Sequence, residues 1–276
     1  MPIPKRQSPV PAKRAPVESD DAWDMLDTMS MIVYGISGSG KTTFAATFPG
    51  PILWLVCSGG KKPQELKSID TPEYREKITA KIIRSSADYD RWMEKAPEYA
   101  TVVLDHLSAL SDVVLSEITG QRVPEQKSWG MFPREQYGQQ TSQLKSMLRV
   151  MLDLPGNVVI LGQERVFEPK EGSIGGETKV GIGVSPKLAE WLNPIPSYVV
   201  QTFKRKTVIE KHVVSKKTGE KKVIQLEGEG IQFCLRTEPH ELYITKFRNP
   251  YAKEKKLTGI IVDPTYKKVM QVLGKA

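Results

Sequence analysis

The segment Gly35-Ile36-Ser37-Gly38-Ser39-Gly40-Lys41-Thr42 constrains this chain more than any other. It has the spacing G-x-x-x-x-G-K-[ST], follows the apolar run 29–34, and leads into residues 42–48, which read as a helix closed by Pro49-Gly50. A buried strand, a glycine-rich loop and a helix start in that order aim backbone N–H groups and the positive end of a helix at one point. The glycines let the chain turn those amides inward. On this reading Gly35, Ser37, Gly38, Ser39, Gly40, Lys41, Thr42 and Thr43 cradle phosphate oxygens. Lys41 reaches the β- and γ-phosphates, and the Thr42 hydroxyl ligates Mg²⁺. The implied ligands are ATP and Mg²⁺.

The surrounding pattern fits. Runs 51–57, 101–105 and 157–162 are continuously apolar rather than alternating, which suits parallel strands covered on both faces. Segment 78–83 reads as a further short strand. Helices are expected near 87–95, 107–118, 135–152 and 186–192, and loops at 120–132 and at the glycine-rich 167–184. After residue 196 the character changes. Segments 197–209, 211–215, 223–226, 231–236 and 242–247 read as antiparallel strands, with Lys216-Lys217-Thr218-Gly219 as a hairpin turn and a closing helix at 264–273. The expected class is α/β, a three-layer sandwich whose mainly parallel sheet is extended by antiparallel C-terminal strands.

Three residues at strand ends are further site candidates. Asp105 closes the apolar strand 101–104, where a carboxylate can hold the water shell of Mg²⁺; capping the next helix is the competing role. Gln163 and Glu164 follow the strand 157–162, at the sheet edge that faces the ligand crevice in open α/β folds. Gln163 is a candidate γ-phosphate sensor and Glu164 a candidate for orienting a water. His106 reads more simply as structural.

Charge is uneven. The net charge is +8, and residues 201–276 carry 17 Lys and Arg against 8 Asp and Glu, so the remainder is close to neutral. Such asymmetry favours a polyanionic partner near the C-terminal part. Residues 1–24 are basic and Pro-rich with few large apolar side chains, and are expected to be disordered; 25–276 then form the folded unit, with a basic hairpin insertion at 204–230. Cys57 and Cys234 sit in apolar runs and read as buried reduced thiols. With no apolar run of spanning length and no secretory signal, a cytoplasmic location and no membrane partner are expected.

The phosphate loop, a short second strand with a Gly-Gly turn, the Asp105 strand, a strand ending in Gln163, a glycine-rich loop and late antiparallel strands ending in Lys246-Phe247-Arg248 together resemble RecA-like ATPases. The sequence is most similar to compact phage-encoded members, a group that includes the fourth of the phage Sak families of single-strand annealing proteins. The resemblance covers roughly residues 29–273. It implies a RecA core, self-assembly into a homo-oligomeric ring or filament, and ATP-linked binding of single-stranded DNA in phage recombination. A single-strand binding protein is a further candidate partner. By the same resemblance the loops after the third and fourth core strands face DNA, through Arg122, Lys127 and Arg134 and through Lys170 and Lys179. Lys246 and Arg248 correspond to residues that meet the neighbouring subunit's γ-phosphate. One transfer fails. Relatives place a glutamate before the Gly-Gly turn to polarise the attacking water, and here Ser58 precedes Gly59-Gly60. A serine hydroxyl cannot act as a base at neutral pH without help. Either Glu164 substitutes or turnover is slow.

Two other readings stay open: a stand-alone P-loop kinase or NTPase acting on a small molecule, and a nucleotide-gated adaptor in phage replication or packaging that does not touch DNA.

Overall fold

The computed structural model describes residues 28–57, 63–120, 132–169, 176–214, 221–248 and 259–275, with backbone alone for 208–214, 221–227 and 229. The expected tail 1–24, the turn with Ser58, Arg122, Lys127 and Lys170 lie outside the described residues. The first half runs β1 (Ser30–Gly35), α1 (Lys41–Ala46), β2 (Ile52–Val56), a 3-10 turn (Gln64–Ile69), α2 (Pro72–Lys77), β3 (Ile78–Ile82), α3 (Ser86–Met93), β4 (Thr101–Asp105) and α4 (Leu107–Thr119). The second half runs α5 (Arg134–Leu152), β5 (Asn157–Phe167), β6 (Lys179–Ile182), α6 (Pro186–Leu192), β7 (Tyr198–Val214), β8 (Lys221–Arg236), β9 (Lys246–Phe247), β10 (Ile260–Val262) and α7 (Tyr266–Val272).

The strands form one sheet in the order β10-β8-β7-β1-β5-β4-β2-β3, with β6 paired to β5 and β9 to β7. β1 lies parallel to both β5 and β7, and β4 lies parallel to β5 and β2. β8 and β10 extend the sheet antiparallel. The expected α/β architecture is therefore the observed one: a mainly parallel sheet lengthened by antiparallel late strands.

Alternation along the strands sorts the core into two layers. Ile32, Tyr34, Leu55, Leu104 and Ile160 face one side and pack with Tyr89, Leu110, Leu148 and Leu188 of α3 to α6. Met31, Val33, Trp54, Val103 and Leu161 face the other side and pack with Phe44 and Phe48 beside α1 and Val269 of α7. Buried apolar area on both faces is what makes these strands continuous hydrophobic runs. Both cysteines are free and buried, as expected. Among the described residues no helix is long and apolar enough to cross a membrane.

Several boundaries differ from expectation. The four segments expected between 197 and 236 are two long strands, and the irregularity that suggested breaks is a register shift between Lys206 and Val208. Such an irregularity absorbs extra residues, here two in β8, without ending a strand, so local sequence breaks need not be strand ends. β5 continues past Gly162 to Phe167 because β6, inside the expected glycine-rich loop, pairs with residues 164–167. The expected strand 242–247 is reduced to β9, with Tyr243 in an isolated bridge to Val180. The 3-10 turn, α2 and β10 were not legible as elements.

β7 is level with the phosphate-loop strand only as far as Tyr34↔Gln201. The β7–β8 pair then continues from Thr202 to Val214, 13 residues past that level. At about 3.3 Å per residue the hairpin projects on the order of 40 Å from the sheet edge that carries the phosphate loop.

Candidate functional site

The loop between β1 and α1 has the geometry its glycines suggest. Gly38 (φ 72°) and Gly40 (φ 93°) occupy left-handed conformations that a side chain would strain. Ser39 Oγ donates to the Ile36 carbonyl at 2.8 Å and shares a 2.7 Å hydrogen bond with Thr202 Oγ1. Lys41 is buried, and its Nζ donates to the carbonyls of Gly35 and Ile36, each at 2.8 Å. Burial lowers its pKa, opposed by the nearby carboxylates of Asp105 and Glu164. An ammonium held against the carbonyls of a glycine-rich loop is placed to anchor a phosphate.

Asp105 stands where its strand predicts. In register with Val56, it lies on the α1 side of the sheet, and its Oδ2 accepts from Trp54 Nε1 at 3.2 Å. Burial pushes its pKa up to about 6, the Trp54 hydrogen bond opposes this, Glu65 adds to it, and Lys41 lowers it. Asp105 does not cap α4. His106 does, its Nδ1 accepting from the Ala109 N–H at 3.2 Å, so the competing capping role belongs to the next residue. In the neutral imidazole the proton then sits on Nε2. The Asp105–His106 peptide bond is cis.

A cleft of about 330 Å³ joins these groups: Ser37, Gly38, Gly40, Lys41, Thr42 and Thr43 on the loop side, Asp105 and His106 at the end of β4, and Gln163 within β5. The same cleft takes in Glu65, Ser68 and Phe233, which no sequence pattern had singled out. β5 alternation separates the expected pair. Gln163 enters the cleft, whereas Glu164 falls on the opposite face, where its Oε2 accepts from Gln201 Nε2 at 3.3 Å. The expectation of Glu164 as the water-orienting base finds no geometric support, because successive strand residues face opposite sides.

The wall opposite the loop comes from the base of the β7–β8 hairpin. Thr202, Lys204 and Phe233 share one face, Lys204 and Phe233 being cross-strand partners. A Cβ placed on Gly35 would lie 2.2 Å from the Thr202 carbonyl oxygen. One on Gly38 would come within 3.7 Å of Lys204 Nζ, and one on Gly40 within 3.1 Å of the Phe233 ring. Phe233 is 40% exposed and also borders a second cleft of about 300 Å³ with Phe44, Tyr74 and Pro264.

Lys246 and Arg248 lie elsewhere. β9 pairs with the start of β7, Val199↔Lys246, a level occupied on β1 by Ile32 rather than by the loop. Lys246 Nζ donates to the carbonyls of Pro194 and Pro196, and Arg248 is exposed. Within one subunit neither reaches the phosphate loop. Of the residues expected to face DNA, Arg134 opens α5 and is exposed, while Lys179 is paired with Glu177 and also donates to the Glu241 carbonyl at 2.6 Å.

The residues present fit a nucleoside triphosphate with Mg²⁺. The left-handed glycines leave a concave run of backbone that side chains would fill, a buried ammonium centres it, and Thr42 and Asp105 supply the hard oxygen donors Mg²⁺ prefers. Bound there, the cation would neutralise charge on the phosphates.

The structure of the flagellar accessory protein FlaH from Methanocaldococcus jannaschii matches at 9% identity, covering 85% of this chain and 89% of that one, with a TM-score of 0.38. No curated protein matches the sequence. The family model described as an AAA domain matches residues 27–249. By the extent of that match, which contains the phosphate-loop site, this chain belongs to the AAA domain family.

Proposed function

We propose that this protein binds ATP·Mg²⁺ in the phosphate-loop cleft, hydrolyses it, and uses the nucleotide to control binding of single-stranded DNA as a homo-oligomer that promotes annealing in phage recombination. The observation that carries the nucleotide part is the buried Lys41 inside a left-handed glycine cradle, beside a carboxylate and a hydroxyl able to take Mg²⁺. Support for the DNA part is the excess of basic residues after position 200 and the long β7–β8 pair, whose far half carries Lys211, Lys221 and Lys222. The base of that hairpin touches the phosphate loop through Thr202, Lys204 and Phe233, so a ligand on the hairpin and a ligand in the cleft act on one element.

In the cleft, backbone amides and Lys41 hold the phosphates, and Thr42 and Asp105 hold the cation that bridges them. Gln163 lines the cleft from within β5, level with Gly35 of the phosphate-loop strand, and is the candidate sensor of a terminal phosphate. Self-assembly gives Arg248 a partner, since it reaches no nucleotide within its own chain.

Titration of fluorescent single-stranded DNA with and without ATP tests the reading. ATP is expected to change the affinity, and the log–log salt slope should lie near −3.5 if about five phosphates are neutralised at about −0.7 each. Absent or salt-independent binding sinks the DNA part and leaves an adaptor or stand-alone NTPase. Mixing Lys41→Ala with Arg248→Ala subunits tests for shared sites; rescue of ATP-dependent activity is expected, and none at any ratio in co-assembled variants removes the trans role.

A further inference from the structure

One charged group in the phosphate-loop cleft belongs to neither motif. Glu65 sits in the first turn of the Gln64–Ile69 segment, an element packed against α1, which begins with Lys41 and Thr42. Its carboxylate lines the cleft together with Asp105 and His106. Its Oε2 is shielded from solvent and has no hydrogen-bond donor among the described residues. A carboxylate oxygen in that condition is costly, because it has lost water without gaining a donor. Such a group is accounted for if the missing donor enters the cleft with the ligand. The neighbours feel its charge: Glu65 raises the proton affinity of both Asp105 and His106.

The other acids near the loop are engaged. Asp105 accepts from Trp54 and faces the cation position, and Glu164 is turned to the far side of the sheet and bonded to Gln201. Glu65 is left as the cleft carboxylate with a free acceptor.

We propose that Glu65, supplied by the 3-10 turn after β2, is the residue that holds the water attacking the terminal phosphate and accepts its proton. This rests on the ATP reading above. In the step, the water oxygen forms a bond to the γ-phosphorus and the bond to the β,γ-bridging oxygen breaks. Its electron pair stays on ADP. The proton leaving the water passes to the Glu65 carboxylate and then to the product phosphate, which restores the carboxylate. His106, with its ring proton on Nε2, lines the same cleft as a neutral donor. The glutamate expected before Gly59-Gly60 is thus replaced by one lying in the next element, and Ser58 needs no chemical role.

The test compares the parent with Glu65→Gln, Glu65→Asp and Glu164→Gln in the full chain. Three readouts are used: ATP affinity by calorimetry, single-turnover hydrolysis, and binding of ADP with aluminium fluoride, which requires an in-line water or hydroxide to be held. Glu65→Gln is expected to keep ATP affinity within about threefold while hydrolysis falls about 10²–10⁴-fold, the usual contribution of a general base. It should also lose the aluminium fluoride complex. Glu65→Asp should retain part of both, and Glu164→Gln should behave as the parent. Hydrolysis by Glu65→Gln at the parent's rate overturns the proposal, as does an equal loss of ATP affinity and turnover. A parent that binds ATP without hydrolysing it also overturns it. A parent that does not bind ATP overturns the nucleotide reading itself, and this proposal with it, so the two failures are told apart before any variant is made.

Discussion

The two walls of the phosphate cleft are built in different ways. One wall, Gly35 to Thr43, is a single stretch of chain whose conformation follows from its own residues: glycines at left-handed positions, a lysine, and a helix start. The other wall is assembled from Glu65, Thr202, Lys204 and Phe233, which are far apart in sequence and meet only because β7 lies beside β1 and the 3-10 turn packs on α1. The first wall binds what any phosphate loop binds. The second is where the proposed roles of Glu65 and of the hairpin base would act.

Removing the central cation of the first wall has the largest expected effect. Lys41→Ala should weaken ATP binding about 100-fold or more, since charge-assisted hydrogen bonds contribute about 1.5–3 kcal/mol each and at least two are lost. Calorimetric titration measures this, and an unchanged unfolding midpoint shows the fold intact. If ATP still binds as tightly, the loop is not the anchor and the distinction between the walls collapses.

Gly35→Ala attacks the line where the walls touch. The new methyl would meet the Thr202 carbonyl oxygen, which is backbone and cannot rotate away. Overpacking of this kind costs about 1–3 kcal/mol, a midpoint lowered by roughly 2–12 °C at this chain length. A neutral result in thermal unfolding would mean that the hairpin base moves freely against the loop.

A smaller effect distinguishes the cation from the phosphates. Burial holds the pKa of Asp105 at about 6 before cation binding, so below that pH the carboxyl takes up a proton that Mg²⁺ must displace. Mg²⁺-dependent ATP affinity should therefore fall by up to about tenfold per pH unit below 6 and level off above it. Asp105→Asn should remove that dependence. The same shift acts on stability with the opposite sense from a salt-bridged acid. The folded pKa lies above the unfolded one, so the contribution is present at acid pH and is lost as pH rises through about 6.

Lys204→Ala should do least, because the side chain is exposed and its charge screened. About a threefold to tenfold loss of ATP affinity is expected by calorimetry, with ADP less affected. A loss as large as that of Lys41→Ala would make the hairpin base a full partner of the loop, not an adjunct to it.

The legible parts of this protein are those in which a residue's role is fixed by near neighbours. The phosphate loop, Asp105 at a strand end, and helices such as α4 and α6 fall within a residue or two of expectation because glycine conformations, caps and apolar periodicity act over a few residues. Glu164 was the instructive failure. Adjacent residues of a strand seem equivalent in sequence, yet the pleat sends Gln163 into the cleft and Glu164 out of it. Lys246 and Arg248 show the same limit: strand β9 pairs low on β7, so neither reaches the phosphate loop of its own chain, and sequence order carries no register.

The sequence by itself determined that a phosphate-binding loop sits between a buried strand and a helix, that the core is a covered, mainly parallel sheet, and that basic charge gathers late in the chain. These follow from short-range sterics and from the burial of apolar runs. Only the tertiary structure decided which carboxylate enters the cleft, that the hairpin is one unbroken pair of strands, and that its base rests on the phosphate loop. Those outcomes depend on strand order, register and the packing of the 3-10 turn on α1, which are set by long-range contacts, such as that between Ser39 and Thr202, 163 positions apart.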